Sequence, residues 1–376
     1  MTLTSSGQIS MSQINTELGR SSSSQISLDS AENGSYATIN TNSGSYPSSG
    51  NPATMSEWYS YNHSAEGDAL NWICGGRSTW NSDGTRTNTI QYLTAVSSSG
   101  GATDGGDLQG SMAYSSACAG DSYGFCLGGH EGYDSNRIQY WSTSSGSVSA
   151  SDGGDIANSR RAGMATEGAS YGYLATGSWP PKNYIDYITL SSASGNGTDC
   201  GDWFETVRDP VGMAPDRGGS YSFGAGGRPS SGYETNNIGY LNHTSTSISS
   251  SNVGDLTQQR YANTDTSGAG DTYQIFAFGY AAQYGTPYNI LEYRSNTTSS
   301  SNCSDKGDGT RIKNAVGAGV GEGGGTVFFY GGHSSSGTFN EIEYCNTTNS
   351  SQNATDKGDL IGSRDGPCGT TSSTGM

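Results

Sequence analysis

Six tyrosines along the chain are each followed, fifteen residues later, by an aspartate that a glycine precedes. The pairs are Tyr92/Asp107, Tyr140/Asp155, Tyr187/Asp202, Tyr240/Asp255, Tyr293/Asp308 and Tyr344/Asp359, and successive aspartates lie 48, 47, 53, 53 and 51 residues apart. A period near fifty marks one supersecondary unit copied along the chain, each copy burying its apolar face against the next. Such units must stack or close into an array, and no other feature limits the fold as much. Hydrophobic residues make up 31% of the chain, a low share for a globular protein, yet 24 tyrosines recur at regular places. Aromatic and small residues therefore build a thin core of the kind found between sheets.

Each copy opens on a β-rich run ending in small residues: NWICGGR, YGFCLGGH, YGYLATGS, YSFGAGGR, YQIFAFGY and TVFFYGGH. A second run carries the tyrosine (TIQY, RIQY, YIDY, NIGY, ILEY, EIEY), and a polar stretch then closes on Asp-x-Gly-Asp or a variant. Alternation and β-branched or aromatic content predict strands for both runs. The glycine pairs suit backbone approaching its neighbours closely near an axis. Glycine before aspartate predicts a tight turn, its carboxylates capping nearby N–H groups and pairing with a downstream base. That base is Arg160, Arg208, Arg260, Lys313 or Arg364, with Met112 in the first copy. Two further strands per copy, between the turn and the next glycine pair, complete four. The expected fold is all-β: a six-bladed β-propeller over 66–376, closed where the tail after Asp359 pairs with the segment around Ala69–Gly76.

Residues 1–65 carry no copy of the repeat and form a small irregular segment with short helices. ISMSQINTELG reads as a helix capped by Ser10 or Ser12 and stopped at Gly19, and SQISLDSAENG is a similar piece. Met55, Trp58, Tyr59 and Tyr61 are apolar for so polar a region and are expected to pack on the propeller or on another subunit.

A net charge of −17 argues against nucleic acid or an anionic membrane surface as partner. No apolar run reaches the length of a membrane span, and MTLTSSGQIS lacks the regions of a signal peptide, so synthesis in a cytosol is expected. The seven cysteines share no common offset in the repeat and form no CxxC pair, which favours reduced packing residues over disulfides or zinc. Calcium takes six to eight oxygens, more than two carboxylates per turn supply. His130 and His333 share one place after the glycine pair, but too few ligands stand in phase for copper or zinc. No metal, no cofactor and no enzymatic activity are expected.

The glycine pair, tyrosine strand, turn and downstream arginine together resemble a divergent kelch-type repeat. More closely, NYIDYITLSSASGNGTDCGDW (183–203) and WSTSSGSVSASDGGDI (141–156) are similar to the IDYITI…GNATDFGDL repeats of structural and tail-fibre proteins of marine bacteriophages, especially cyanophages. The resemblance covers roughly 66–376 and departs at Gly177, Gly279 and Trp203. It implies a virion protein made in the host cytoplasm, in which 1–65 attaches to other virion proteins through Ile14, Leu18, Met55, Trp58 and Tyr59.

From small residue to tyrosine the copies span 16, 11, 10, 13, 14 and 12 residues, whereas tyrosine to aspartate never varies. One face of the propeller is thus irregular, and irregular loops on a rigid scaffold are where binding resides. That face would present Arg77, Trp80, His130, Tyr133, Trp179, Arg228, Tyr233, Tyr280, Tyr284 and His333. Aromatic rings with a few polar heads suit a host-surface glycan or protein. The alternative is decoration of the virion without receptor contact.

Overall fold

The computed structural model describes residues 3–37, 39, 45–47, 53–61, 70–80, 85–94, 100–144, 146–216, 219–270, 272–281, 286–296, 298, 300–321 and 324–371. The chain divides into two compact units, Met1–Asp68 and Ala69–Met376.

In the first unit Ser10 caps the helix Met11–Glu17 in a capping box with Gln13, and Gly19 follows its end at φ +72°. Ser27 caps a second helix, Leu28–Glu32. Two helices this short cannot enclose a core with aliphatic side chains alone, so aromatic rings fill it. Ile14, Leu18, Ala31, Trp58 and Tyr61 form its centre, with Met55 and Tyr59 partly buried against them. Trp58 and Tyr61 meet edge to face at 5.2 Å. The rings expected to pack on the propeller or another subunit are therefore this unit's own interior.

The second unit is all-β, with its sheets in a propeller-like arrangement. Its second repeat shows the plan: Ser116–Ala119, Tyr123–Leu127, Arg137–Ser142 and Ser151–Asp155 pair antiparallel in that order. The third and fourth repeats follow it but run together into one nine-stranded sheet through Val207↔Pro229 and Arg208↔Arg228. In the first repeat the place of the first strand is taken by Cys368–Thr371, paired with Leu70–Cys74 from Asn71↔Thr371 to Cys74↔Cys368.

The fifteen-residue interval is a register. Each repeat tyrosine lies opposite a Ser or Thr four residues before its aspartate, from Tyr92↔Thr103 to Tyr344↔Thr355. Each ring also meets an aromatic ring of the adjacent strand, for example Tyr187 on Tyr171 at 5.3 Å and Tyr293 on Tyr273 at 4.8 Å.

The Asp-x-Gly-Asp signature is not a turn between strands, as the sequence predicts. It lies within the fourth strand and forms a β-bulge: pairing steps from Ile138↔Gly154 to Gln139↔Asp152, leaving Gly153 as the extra residue. The first aspartate still caps locally, Asp152 Oδ1 accepting the Gly154 N–H at 2.9 Å. The glycine is needed because the next repeat comes close. At Gly201, φ +138°, an added Cβ would stand 2.2 Å from the carbonyl oxygen of Ile248.

Core clusters lie between consecutive repeats. One joins Trp72, Ile90 and Met112 to Cys126 and Trp141. Others continue from the second repeat to the third, third to fourth, fourth to fifth and fifth to sixth. A further cluster joins Ile73 and Leu93 to Phe328, Tyr330 and Ile342. All seven cysteines are free and buried.

Candidate functional site

After the bulge the chain leaves the outer strand and crosses to the first strand of the next repeat. The basic residue five places beyond the aspartate is buried there, but its partner is not the bulge carboxylate that the sequence suggests. Arg160 pairs with Asp186, Arg260 with Glu292 and Lys313 with Glu343, all nearly or fully buried. Each acid is the residue before the tyrosine of the following repeat. The reason is geometric: the downstream residue turns inward between two sheets, while the bulge carboxylate stays at the rim. Where that acid is replaced by Gln139, the earlier repeat carries Met112, and Gln139 Nε2 approaches its sulfur at 3.5 Å. Gln139 Oε1 also accepts the Gln109 N–H at 2.6 Å, as Glu292 Oε1 accepts that of Thr257 and Gln91 Oε1 that of Ile361. Burial lowers the Arg160 pKa and raises that of Asp186 from their usual values, although each partner opposes the shift of the other.

Seven places beyond each aspartate, the backbone makes a circle of hydrogen bonds. Ala162 N–H donates to Tyr114 C=O, Asp209 to Ala162, Ala262 to Asp209, Ala315 to Ala262, Gly366 to Ala315 and Tyr114 to Gly366. The six distances run from 2.7 to 3.2 Å. Tyr114, Ala162, Asp209, Ala315 and Gly366 are left-handed, with φ from +48° to +67°, which aims the N–H groups around the circle.

Beside this circle, on the face of the variable loops, lies a cavity of about 360 Å³ lined by Arg77, Tyr114, His130, Arg161, Ala162, Arg208, Asp209 and Asn263. Arg77 donates from Nε and a terminal nitrogen to Asp365 Oδ2 at 3.1 and 2.6 Å, and the Tyr114 hydroxyl donates to the same oxygen at 2.9 Å. Asp365 Oδ1 lies 2.7 Å from His333 Nδ1. Arg161 pairs with Asp134 at 3.3 Å and donates to His130 Nδ1 at 2.9 Å. Arg208 pairs with Asp209, and Arg228 with Glu234 at 3.2 Å. Burial raises the carboxyl pKa of Asp209, while Arg208, Arg228 and Arg161 pull it down.

Four aromatic side chains on the variable loops of four successive repeats are exposed: Trp80 at 48% and Tyr133, Trp179 and Tyr233 at 66%. The Trp179 ring covers the Arg208 guanidinium at 4.1 Å, and Trp80 stacks on His333 at 5.0 Å. Of the other residues expected on this face, Arg228 and Tyr280 are half-buried. Arg77, His130 and His333 are buried, because Asp365 and Arg161 draw them inward. Tyr284 lies outside the described residues.

Sequence reasoning did not single out Tyr114, Arg161, Asp209, Asn263 or Asp365. Their signal was phase: Arg161, Arg208 and Asp365 all stand six places beyond a repeat aspartate, and Tyr114 and Asp209 seven. Among the described residues, no group of three or more His, Cys, Asp or Glu converges as a metal site would need. No protein-family model matches the chain, and no curated protein matches it either.

Proposed function

We propose that the second unit is a six-bladed, kelch-like propeller, closed where Cys368–Thr371 joins Leu70–Cys74, and that it serves a bacteriophage virion as a non-enzymatic host-binding module. The ring reading is supported by the hydrogen-bond circle from Tyr114 to Gly366 and by the apolar cluster joining the last repeat to the first. A narrow cavity lined by the first strands of all six repeats, among them Ala117, Ala165, Ala214, Gly268, Ala318 and Gly369, is consistent with it. In this reading the first unit attaches the protein to other virion components, and the variable-loop face meets a host glycan or protein.

One observation carries the binding role: Trp80, Tyr133, Trp179 and Tyr233, on the variable loops of four successive repeats, stand exposed, and Trp179 covers Arg208 in the lining of a polar cavity. Rings left in water cost hydration free energy unless a partner covers them, and exposed aromatics next to fixed polar groups are the usual make-up of binding hot spots. The test is binding of the fluorescently labelled chain to a panel of marine cyanobacterial cells, compared with a Trp80→Ala/Trp179→Ala/Tyr233→Ala variant. Native binding lost in the variant supports the role. Binding that is unchanged, or absent for the native chain on every strain, removes it.

A further inference from the structure

We infer that the cavity beside the hydrogen-bond circle is a saccharide site specific for one uncharged pyranose ring. This rests on the host-binding reading and narrows it to a ligand class. Three arginines in the lining would suggest an acidic sugar, but the charges around them decide otherwise. Arg77 is matched by Asp365, Arg161 by Asp134, Arg208 by Asp209 and Arg228 by Glu234. Four cations meet four carboxylates, so an anion entering here would face carboxylates already seated on every guanidinium. Displacing Asp365 or Asp209 would leave a buried charge without its partner.

The same arrangement suits a polyol. Vicinal hydroxyls donate and accept at once; the planar Arg and Asp groups, held by their own ion pairs, and the Asn263 amide together offer both functions. About 360 Å³ is at the small end of the roughly 300–1,000 Å³ range of small-molecule pockets, which fits one sugar ring rather than an oligosaccharide. Trp179, 66% exposed and held over Arg208, supplies at the rim an aromatic ring on which the C–H face of a pyranose can lie.

The probes are the methyl glycosides of glucose, galactose, mannose and N-acetylglucosamine, with methyl glucuronoside and galactose 6-sulfate as charged counterparts. Saturation-transfer NMR on the full chain detects binding, and calorimetry measures it at 50 and 500 mM salt. At least one neutral glycoside is expected to bind, with Kd changing less than twofold between the two salt concentrations. Arg161→Ala is expected to weaken it tenfold or more. Trp179→Ala, at a position 66% exposed, is expected to weaken it about fivefold. Asp121→Asn, remote from the cavity, is the control. A charged sugar that binds more tightly and loses affinity with salt overturns the inference, as does the absence of any neutral binder at 20 mM. If cell binding still depends on the aromatic crown in that case, only the saccharide assignment fails. If cell binding is absent too, the host-binding reading fails with it.

Discussion

Arg260→Met removes the guanidinium that pairs with Glu292 between the fourth and fifth repeats. Both side chains are fully buried, so the change leaves a carboxylate in the interior with, among the described residues, the Thr257 N–H and hydroxyl as its donors. Breaking a buried pair from one side costs about 3–5 kcal/mol. Glu292→Gln strands the opposite charge and is expected to cost a similar amount. The double variant recreates the arrangement that the first and second repeats already use, in which Met112 faces Gln139 at 3.5 Å and Gln139 accepts a backbone N–H at 2.6 Å. It leaves no buried charge, so its cost falls to about 1 kcal/mol for the lost volume. The cycle therefore carries a coupling of several kcal/mol, well above the ~0.5 kcal/mol non-additivity of independent sites. Equilibrium unfolding in urea, with midpoint and slope measured for all four proteins, gives the numbers, and near-UV dichroism confirms native packing. A double variant no more stable than Arg260→Met would refute the idea that charge matching between neighbouring repeats governs this interface.

Three further outcomes follow from particular residues. Asp265 is buried, and burial raises its carboxyl to about 7 against the N–H groups of Ala165, Met213 and Ser267 that favour the charged form. A folded pKa above the unfolded one means stability that is complete below about pH 4 and lost as pH rises through 7. At ~1.4 kcal/mol per unit this is about 3 kcal/mol between pH 5 and 8. Asp265→Asn is expected to remove that slope, and equal slopes in both proteins would contradict it. Gly201→Ala, forced against Ile248 at a positive φ, is expected to destabilise by more than 2 kcal/mol beyond Gly232→Ala, since a Cβ added at Gly232, also at positive φ, would meet no atom within 4 Å beyond its chain neighbours. Thermal midpoints of the two variants give the comparison. Cys126 and Cys368 hold their sulfurs 3.8 Å apart, so diamide treatment is expected to link these two before Cys118 or Cys303. Peptide mapping under non-reducing conditions identifies the pair, and the absence of a 126–368 peptide would show that the strand pairing at Cys368 does not open to the oxidant.

The strand runs, the helix capped at Ser10 and the constant tyrosine-to-aspartate interval were legible because each depends on residues close in the chain. The sequence does not separate the bulge from a turn, because Asp-x-Gly has the same local chemistry in both; what separates them is whether the flanking residues pair with a neighbour, as Ile138 and Gln139 do. The aromatic side chains Trp80, Tyr133, Trp179 and Tyr233 were placed on the variable face from loop length alone, and the structure leaves them exposed. Arg77, His130 and His333 were placed there by the same reasoning, yet Asp365, 288 positions from Arg77, helps bury two of them.

By itself, the sequence determined how often the unit recurs, which runs become strands and which connections vary, since periodicity and turn chemistry act over a few residues. Only the tertiary structure decided that Arg160, Arg260 and Lys313 each meet the acid of the next repeat, and that residues from several repeats line one polar cavity. Lateral stacking of sheets sets those meetings, and its offset between neighbours is written in no single stretch of chain.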